Sequence, residues 1–316
     1  MSATDRFSLK EIIAGVVILI VVAIAMFVTI GAFQKEGVKN EIAISHAGSK
    51  SPDHVGVYIK LLSFDAIKGD AAARVEFTPS GSLADGEGLL KHELKFFVNS
   101  ANGKQEIDFA KGKRMTPLEI VLNTYDGNAT DYPFDEHKAQ VELYLTPGKP
   151  DAKKAPEKPA APAADQSDEA AQDKKEPAEL EDVAIDVDFW GSLPGYTITA
   201  VNSKESDVNY VFFDVDIDRS NITVFFSIFV SVLMWGLTIA VLFLMLSVLV
   251  RGRKPELAMF SFMAALLFAF YAVRNSQPNV PPIGVFVDFI GFFWAEIIVA
   301  ACLLTGVFTW IFRPNK

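Results

Sequence analysis

Apolar positions along the chain fall into four long runs, with one long stretch of mixed polarity between the first and the second. Residues 12–33, 223–250, 257–273 and 289–312 approach or exceed the ~20 apolar residues that carry a helix across a ~30 Å hydrocarbon core. They predict four transmembrane helices. The first run is longer than the apolar region of a cleavable signal peptide, and Gly31-Ala32-Phe33-Gln34 is a poor cleavage site. A retained signal anchor is therefore expected over 12–33.

From 34 to 221 the pattern shortens and begins to alternate. VGVYIKLLSF (55–64), ARVEF (73–77), HELKFFV (92–98), residues 118–122, AQVELYL (139–145), VAIDVDFW (183–190), YTITAV (196–201) and NYVFFDVDI (209–217) are rich in β-branched and aromatic residues. Turn-forming residues separate them, and no long amphipathic helical pattern competes. The expectation is an α+β membrane protein with an antiparallel β-sandwich of about seven or eight strands. Residues 147–179 stand apart, being almost entirely Pro, Ala, Lys, Asp, Glu and Gln. Such a segment lacks the apolar surface to offset its ordering entropy, which predicts a disordered insertion looping between adjacent strands.

The basic residues give an orientation. Arg6 and Lys10 precede the first run; Arg251, Arg253 and Lys254 fill the turn 251–256; Arg313 and Lys316 follow the last run. Under the positive-inside rule these places are cytoplasmic, so 1–11 and 313–316 are cytoplasmic termini. The domain 34–221 and the loop 274–288 are then extracytoplasmic, and the protein is expected in the plasma (inner) membrane.

Charge and cysteine content narrow the function classes. The formal net charge is −10, with the acid concentrated in the external segment. An acidic exterior argues against nucleic acid and against docking on anionic headgroups. The single cysteine, Cys302, lies in the last apolar run, so the external domain must fold on its own core without a disulfide. His46, His54, His92 and His137 lack metal-ligand spacing, and no metal or cofactor is expected. A phosphate-cradling glycine loop, a nucleophile elbow and a HExxH are all missing. The chain is not read as an enzyme.

Several residues stand out as candidates. Glu296 lies about two turns into the last run, roughly 10 Å below the outer interface at 1.5 Å per residue. Two roles are open to it: a place on a proton or solute pathway, or a protonated hydrogen bond to Tyr271, Ser227 or Ser231. Arg274 and Asp288 bracket the outer loop at matching depth and are expected to form an interfacial ion pair. The loop between them, stiffened by Pro278, Pro281 and Pro282, is placed to form a short lid. Arg219 falls where the last strand runs into the second apolar run, either as a headgroup anchor or as a coupler of domain to helices. Asp214, Asp216 and Asp218 alternate and share one strand face. Their spacing opens like a calcium loop, but Arg219 replaces the turn glycine and Phe225 the bidentate glutamate. Asp186 and Asp188 repeat the pattern; paired strands would gather a carboxylate cluster, and unpaired ones a solvated face.

Two local patterns resemble known families. The loop RNSQPNVPPIGVFVD followed by FFWAE resembles the domain-of-unknown-function 4436 family of membrane proteins. The resemblance implies one N-terminal helix, an external domain and three C-terminal helices, and it carries no activity. Tyr132-Pro133-Phe134-Asp135, set between two strands, looks like the FPFD turn of pentameric ligand-gated channels. That likeness implies a coupling loop where an external sandwich meets the membrane. The chain departs from the channel plan, with a helix before the sandwich, three after it, and no polar-lined second helix. A Pro-aromatic turn with an Asp cap also explains the motif without a receptor.

The functional expectation is a sensor, binding protein or scaffold whose sandwich is coupled to, or anchored by, a four-helix membrane domain. Its alternatives are a subunit of an oligomeric channel or transporter, and a membrane-anchored enzyme. The expected partners are the lipid bilayer and a second copy or another membrane protein; the sequence names no ligand.

Overall fold

The computed structural model describes residues 50–102, 105–148, 183–202 and 206–313, the backbone of 41–45, and helical positions 20, 24, 26, 27, 30 and 31. Most of the expected anchor 12–33, and the expected insertion 147–179 beyond Gly148, lie outside the described residues.

Strand formation follows from parity. In His137-Lys138-Ala139-Gln140-Val141-Glu142-Leu143-Tyr144-Leu145 every second side chain is buried, from His137 to Leu145. Side chains of a strand alternate between two faces, so this sequence gives one apolar face and one wet one. The ten strands among the described residues are β1 (Glu41–Ser45), β2 (His54–Asp65), β3 (Asp70–Pro79), β4 (Leu94–Val98), β5 (Glu106–Phe109), β6 (Leu118–Gly127), β7 (Glu136–Pro147), β8 (Ala184–Trp190), β9 (Tyr196–Asn202) and β10 (Tyr210–Arg219).

They hydrogen-bond in the order β1-β8-β2-β3-β6-β7-β10-β9, with β4 added to β7 and β5 to β4. Strand β6 joins the two halves, pairing with β3 through Leu118–Asn123 and with β7 through Thr124–Gly127, across a register shift between Thr124 and Asp126. The halves share one apolar core. Phe77 of β3 meets Phe96 of β4 edge-on at 4.8 Å, and Phe189 of β8 meets Phe213 of β10 at 5.8 Å. All but Phe77 are fully buried, alongside Ile59, Leu61, Leu94, Leu122, Val141 and Leu143. Each such side chain contributes about 1.5–3 kcal/mol on burial, which is how the domain does without a cross-link.

Two features depart from the sequence reading. Strands β2 and β8 run parallel, His54 opposite Ala184 through Lys60 opposite Trp190, so the sheet is not purely antiparallel. The chain between β7 and β8 also does not join adjacent strands: it crosses from one half of the sheet to the other. Its two ends nevertheless converge. Leu145 N donates to Asn209 O at 3.2 Å, and Ile185 N donates to Val208 O at 2.8 Å.

Among the described residues three helices are long and apolar enough to cross a membrane: α1 (Asn221–Val250), α2 (Leu257–Asn275) and α3 (Phe293–Phe312), the last continuing a π turn at Asp288–Phe292. Helix α1 starts one residue after β10, with Ser220 accepting from Thr223 N as its N-cap. Gly306 lets α3 approach Phe260 of α2, since a Cβ there would meet that ring at 2.7 Å. The π turn is tied to α1 by Trp235, whose Nε1 donates to Ile290 O at 3.0 Å. At the opposite end Arg313 donates to Val248 O and Arg253 O.

Candidate functional site

The inward face of β10 reads Val211, Phe213, Val215, Ile217, and then Arg219 at the same parity. Arg219 is thereby turned into the seam between sheet and helices, with its side chain 1% exposed. Its Nε donates to both oxygens of Asp135, at 2.9 and 3.0 Å, and its Nη1 donates to Asn279 O at 3.2 Å. The guanidinium lies between the rings of Tyr132 and Tyr196, 4.9 and 4.5 Å from their centroids. Cation–π attraction is strongest where water is excluded, as it is here. Nη2 is buried without a partner among the described residues.

His137 completes the cluster, its Nε2 standing 3.0 Å from Asp135 Oδ2. The ionised carboxylate only accepts, so His137 donates through Nε2, and its buried Nδ1 has no hydrogen-bond partner among the described residues. Nδ1 faces Gly127, whose φ of 124° and lack of a Cβ permit the approach. Burial alone would raise the pKa of Asp135, but the bonds from His137 and Arg219 outweigh it and hold the carboxyl below its ordinary value. Burial pushes the Tyr132 phenol up to about 12 against the opposing pull of Arg219, so Tyr132 remains a donor. Its hydroxyl donates to Pro278 O at 3.2 Å.

The loop that receives these contacts is built around a second ion pair. Arg274 grips Asp288 through Nε and Nη2, both at 2.7 Å, and caps the carbonyls of Pro281 and Pro282 at 2.8 and 3.3 Å. Asp288 Oδ2 also accepts from the backbone N–H groups of Gly284 and Val285, at 2.8 and 3.2 Å. The arginine and the carboxylate, both almost fully buried, thus fold residues 276–287 into a fixed shape.

That shape fits the sheet domain at several points. Val287 N donates to Tyr132 O at 3.3 Å, and Asn279 Nδ2 donates to Pro194 O at 2.9 Å. Phe134 meets Phe286 edge-on at 6.3 Å. Gly195 O accepts from Ser220 N and from Thr223 Oγ1, both at 3.0 Å. Chemically, the arrangement holds position. Its acids and bases are spent on one another.

Of the residues singled out in the sequence, Tyr132, Pro133, Phe134, Asp135, Arg219, Arg274 and Asp288 come together at this seam. Arg274 and Asp288 form the expected pair, deeply buried rather than interfacial. Glu296 is left out. It is half-buried on α3 and makes no side-chain hydrogen bond among the described residues. Of its expected partners, Tyr271 is 52% exposed and Ser231 donates instead to Ser227 O at 3.0 Å. The acid rows do not converge either. Asp214, Asp216 and Asp218 lie opposite Gln140, Lys138 and Glu136 of β7, whereas Asp186 and Asp188 lie on β8 between β1 and β2. The two strands do not pair, and their buried Phe189 and Phe213 meet in the core while the acids alternate outward. Among the described residues no group of three or more His, Cys, Asp or Glu is placed to hold a metal ion. Burial, then Glu136 and Asp216, push the Asp218 carboxyl up.

The sequence reading missed His137, Tyr196 and Asn279. For His137 the signal was present: it is the one polar residue on the inward face of β7. Tyr196 and Asn279 carry no such mark, because their roles depend on which loop meets which strand.

The family model of DUF4436, a domain of unknown function, matches residues 45–218. The chain belongs to the DUF4436 family. A second model, DUF8686, also a domain of unknown function, matches residues 219–313. None of the curated proteins matches this chain. The DUF4436 match thus covers the sheet domain, not the loop and last helix on which the resemblance was first drawn. The boundary between the matches falls between Asp218 and Arg219. Arg219, the last residue of β10, stands at that boundary: it pairs with Asp135 within the sheet domain and reaches the helical part through its bond to Asn279 O.

Proposed function

We propose that this DUF4436 protein is a non-enzymatic sensor or binding protein of the plasma (inner) membrane. In this reading the folded-over sheet is an extracytoplasmic β-sandwich, the run 12–33 is a retained anchor, and both termini are cytoplasmic. A ligand or partner engages the sandwich, and the seam at Arg219 passes the change to the helices. The observation that carries the reading is the buried Asp135–Arg219 pair, which links the turn before β7 to the strand that continues into α1. A headgroup anchor would leave Arg219 exposed to lipid phosphate; here the guanidinium is enclosed by two tyrosines and a carboxylate. The position of the Tyr132–Asp135 turn at this seam supports coupling as well.

The channel-subunit alternative draws less support. The hydroxyls of Ser231 and Thr238 donate to Ser227 O and Met234 O within α1, at 3.0 and 2.8 Å, which spends the polar groups a pore would need.

Hydrogen exchange of the full-length protein in nanodiscs tests the relay. Wild type and Asp135→Asn are compared over residues 276–287 and over the β2–β3 core. The expected result is faster exchange in the loop with the sheet core still protected. Unchanged exchange in the loop would mean that the sheet domain is merely tethered, and would overturn the coupling role.

A further inference from the structure

The Tyr132–Asp135 turn does more than touch the loop: it closes one end of an apolar groove on the outer surface of the helices. Pro133 and Phe134 form its roof, Ile228 and Val232 one wall, Val287 and Ile290 the other, with Trp235 at the base and a volume of about 220 Å³. Its polar groups are already satisfied, since Ser231 donates to Ser227 O and Trp235 to Ile290 O. What faces outward is hydrocarbon: Phe134, Ile228, Val232 and Ile290 are 52, 46, 64 and 49% exposed.

Depth along α1 says what covers it. At 1.5 Å per residue, Ile228 to Trp235 lie roughly 10–20 Å along the helix from Asn221. Arg251, Arg253, Lys254 and Arg313 mark the other end of the bundle. Counting ~30 Å of hydrocarbon from Val250 ends near Val230. The groove therefore straddles the outer edge of the hydrocarbon region, where an acyl chain passes from core to headgroup. Charge at the mouth narrows the class of lipid. Asp131 is exposed there, its carbonyl accepting from Phe134 N at 2.9 Å. No lysine or arginine stands within 128–135 or 276–287. An anionic headgroup would meet the exposed Asp131 carboxylate and no exposed lysine or arginine from these two segments.

We propose that this groove is a lipid site that seats one acyl chain of a net-neutral, outer-leaflet phospholipid under the Pro133–Phe134 turn. The inference rests on the three helices crossing a bilayer and not on the relay, so either can fail alone. Because the roof belongs to the sheet domain and the walls to the helices, an occupied groove ties both to the lipid around them.

The test uses full-length protein with Trp190, Trp294 and Trp310 replaced by Phe, which leaves Trp235 as the reporter. It is reconstituted in phosphatidylglycerol bilayers containing rising fractions of bromine-chain phosphatidylethanolamine, or of bromine-chain phosphatidylglycerol. A seated chain gives quenching that saturates at low bromolipid fraction, with about tenfold preference over bulk lipid for the ethanolamine form and none for the glycerol form. Val232→Trp, which fills the groove, is read by native mass spectrometry from mild detergent: wild type retains one phospholipid and the variant retains none. Quenching that rises in proportion to mole fraction for both headgroups would mean ordinary annular lipid and would overturn the proposal. Absence of quenching would mean that another helix or a second copy covers the groove, and would overturn it too.

Discussion

Asp135 accepts from both Arg219 and His137 with no water-exposed edge, so its loss strands two donors at once. Breaking a buried pair by removing one partner costs about 3–5 kcal/mol, because the remaining charge stays desolvated. Asp135→Ala should lower stability by that amount, read from chemical unfolding of the purified protein in detergent. The same carboxylate sets an acid limit. Its pKa in the folded protein lies below the ordinary carboxylate value, so its stabilisation is fully present above that ordinary value, ~3.9. It is lost as pH falls through the lowered folded value. Protection of residues 276–287, taken relative to the intrinsic exchange rate at each pH, should therefore fall below about pH 4 in wild type and stay constant with pH in Asp135→Asn. Asp218 works the other way, since burial and the neighbouring Glu136 and Asp216 raise it. Its partial exposure keeps that contribution small.

At the scale of elements, parity was the legible part. The alternation in residues 139–145 and 209–217 marked β7 and β10 and told inward from outward positions, and continuing it one step places Arg219 inside and Asp218 outside. The three C-terminal helices were legible from apolar length alone, with ends displaced by no more than two residues. Pairing was not legible. Alternation assigns a face but no neighbour, so nothing in VAIDVDFW (183–190) says that β8 lies between β1 and β2, parallel to the latter. The acid cluster failed for that reason: Asp186 and Asp214 look equivalent along the chain and end on opposite halves of the sheet. The seam was half visible. Motif and charge pointed to Tyr132–Asp135, Arg219, Arg274 and Asp288, but carbonyl acceptors such as Pro278 O and Gly195 O leave no trace in side-chain identity.

For the whole molecule, the DUF4436 sheet and the helical part meet through the seam, and everything far from the seam is free of that constraint. The crossover from β7 to β8 belongs to the far end. Strand β7 begins beside Asp135 and runs away from the helices, and β8 runs back toward Gly195, so both ends of the crossover lie at the pole opposite the helices. Its ends are pinned by Leu145 to Asn209 and by Ile185 to Val208. On either side of it the strands are interleaved: β8 fits between β1 and β2 of the first portion, and β10 of the second portion pairs with β7 along nine residue positions. The polypeptide bond is thus redundant there. A site for a sequence-specific protease placed within 151–179 should allow the purified protein to be cut into two pieces that still migrate as one particle in gel filtration and part only in denaturant. The two polypeptides would be braided together by their strands, which makes this protein a natural candidate for assembly from halves.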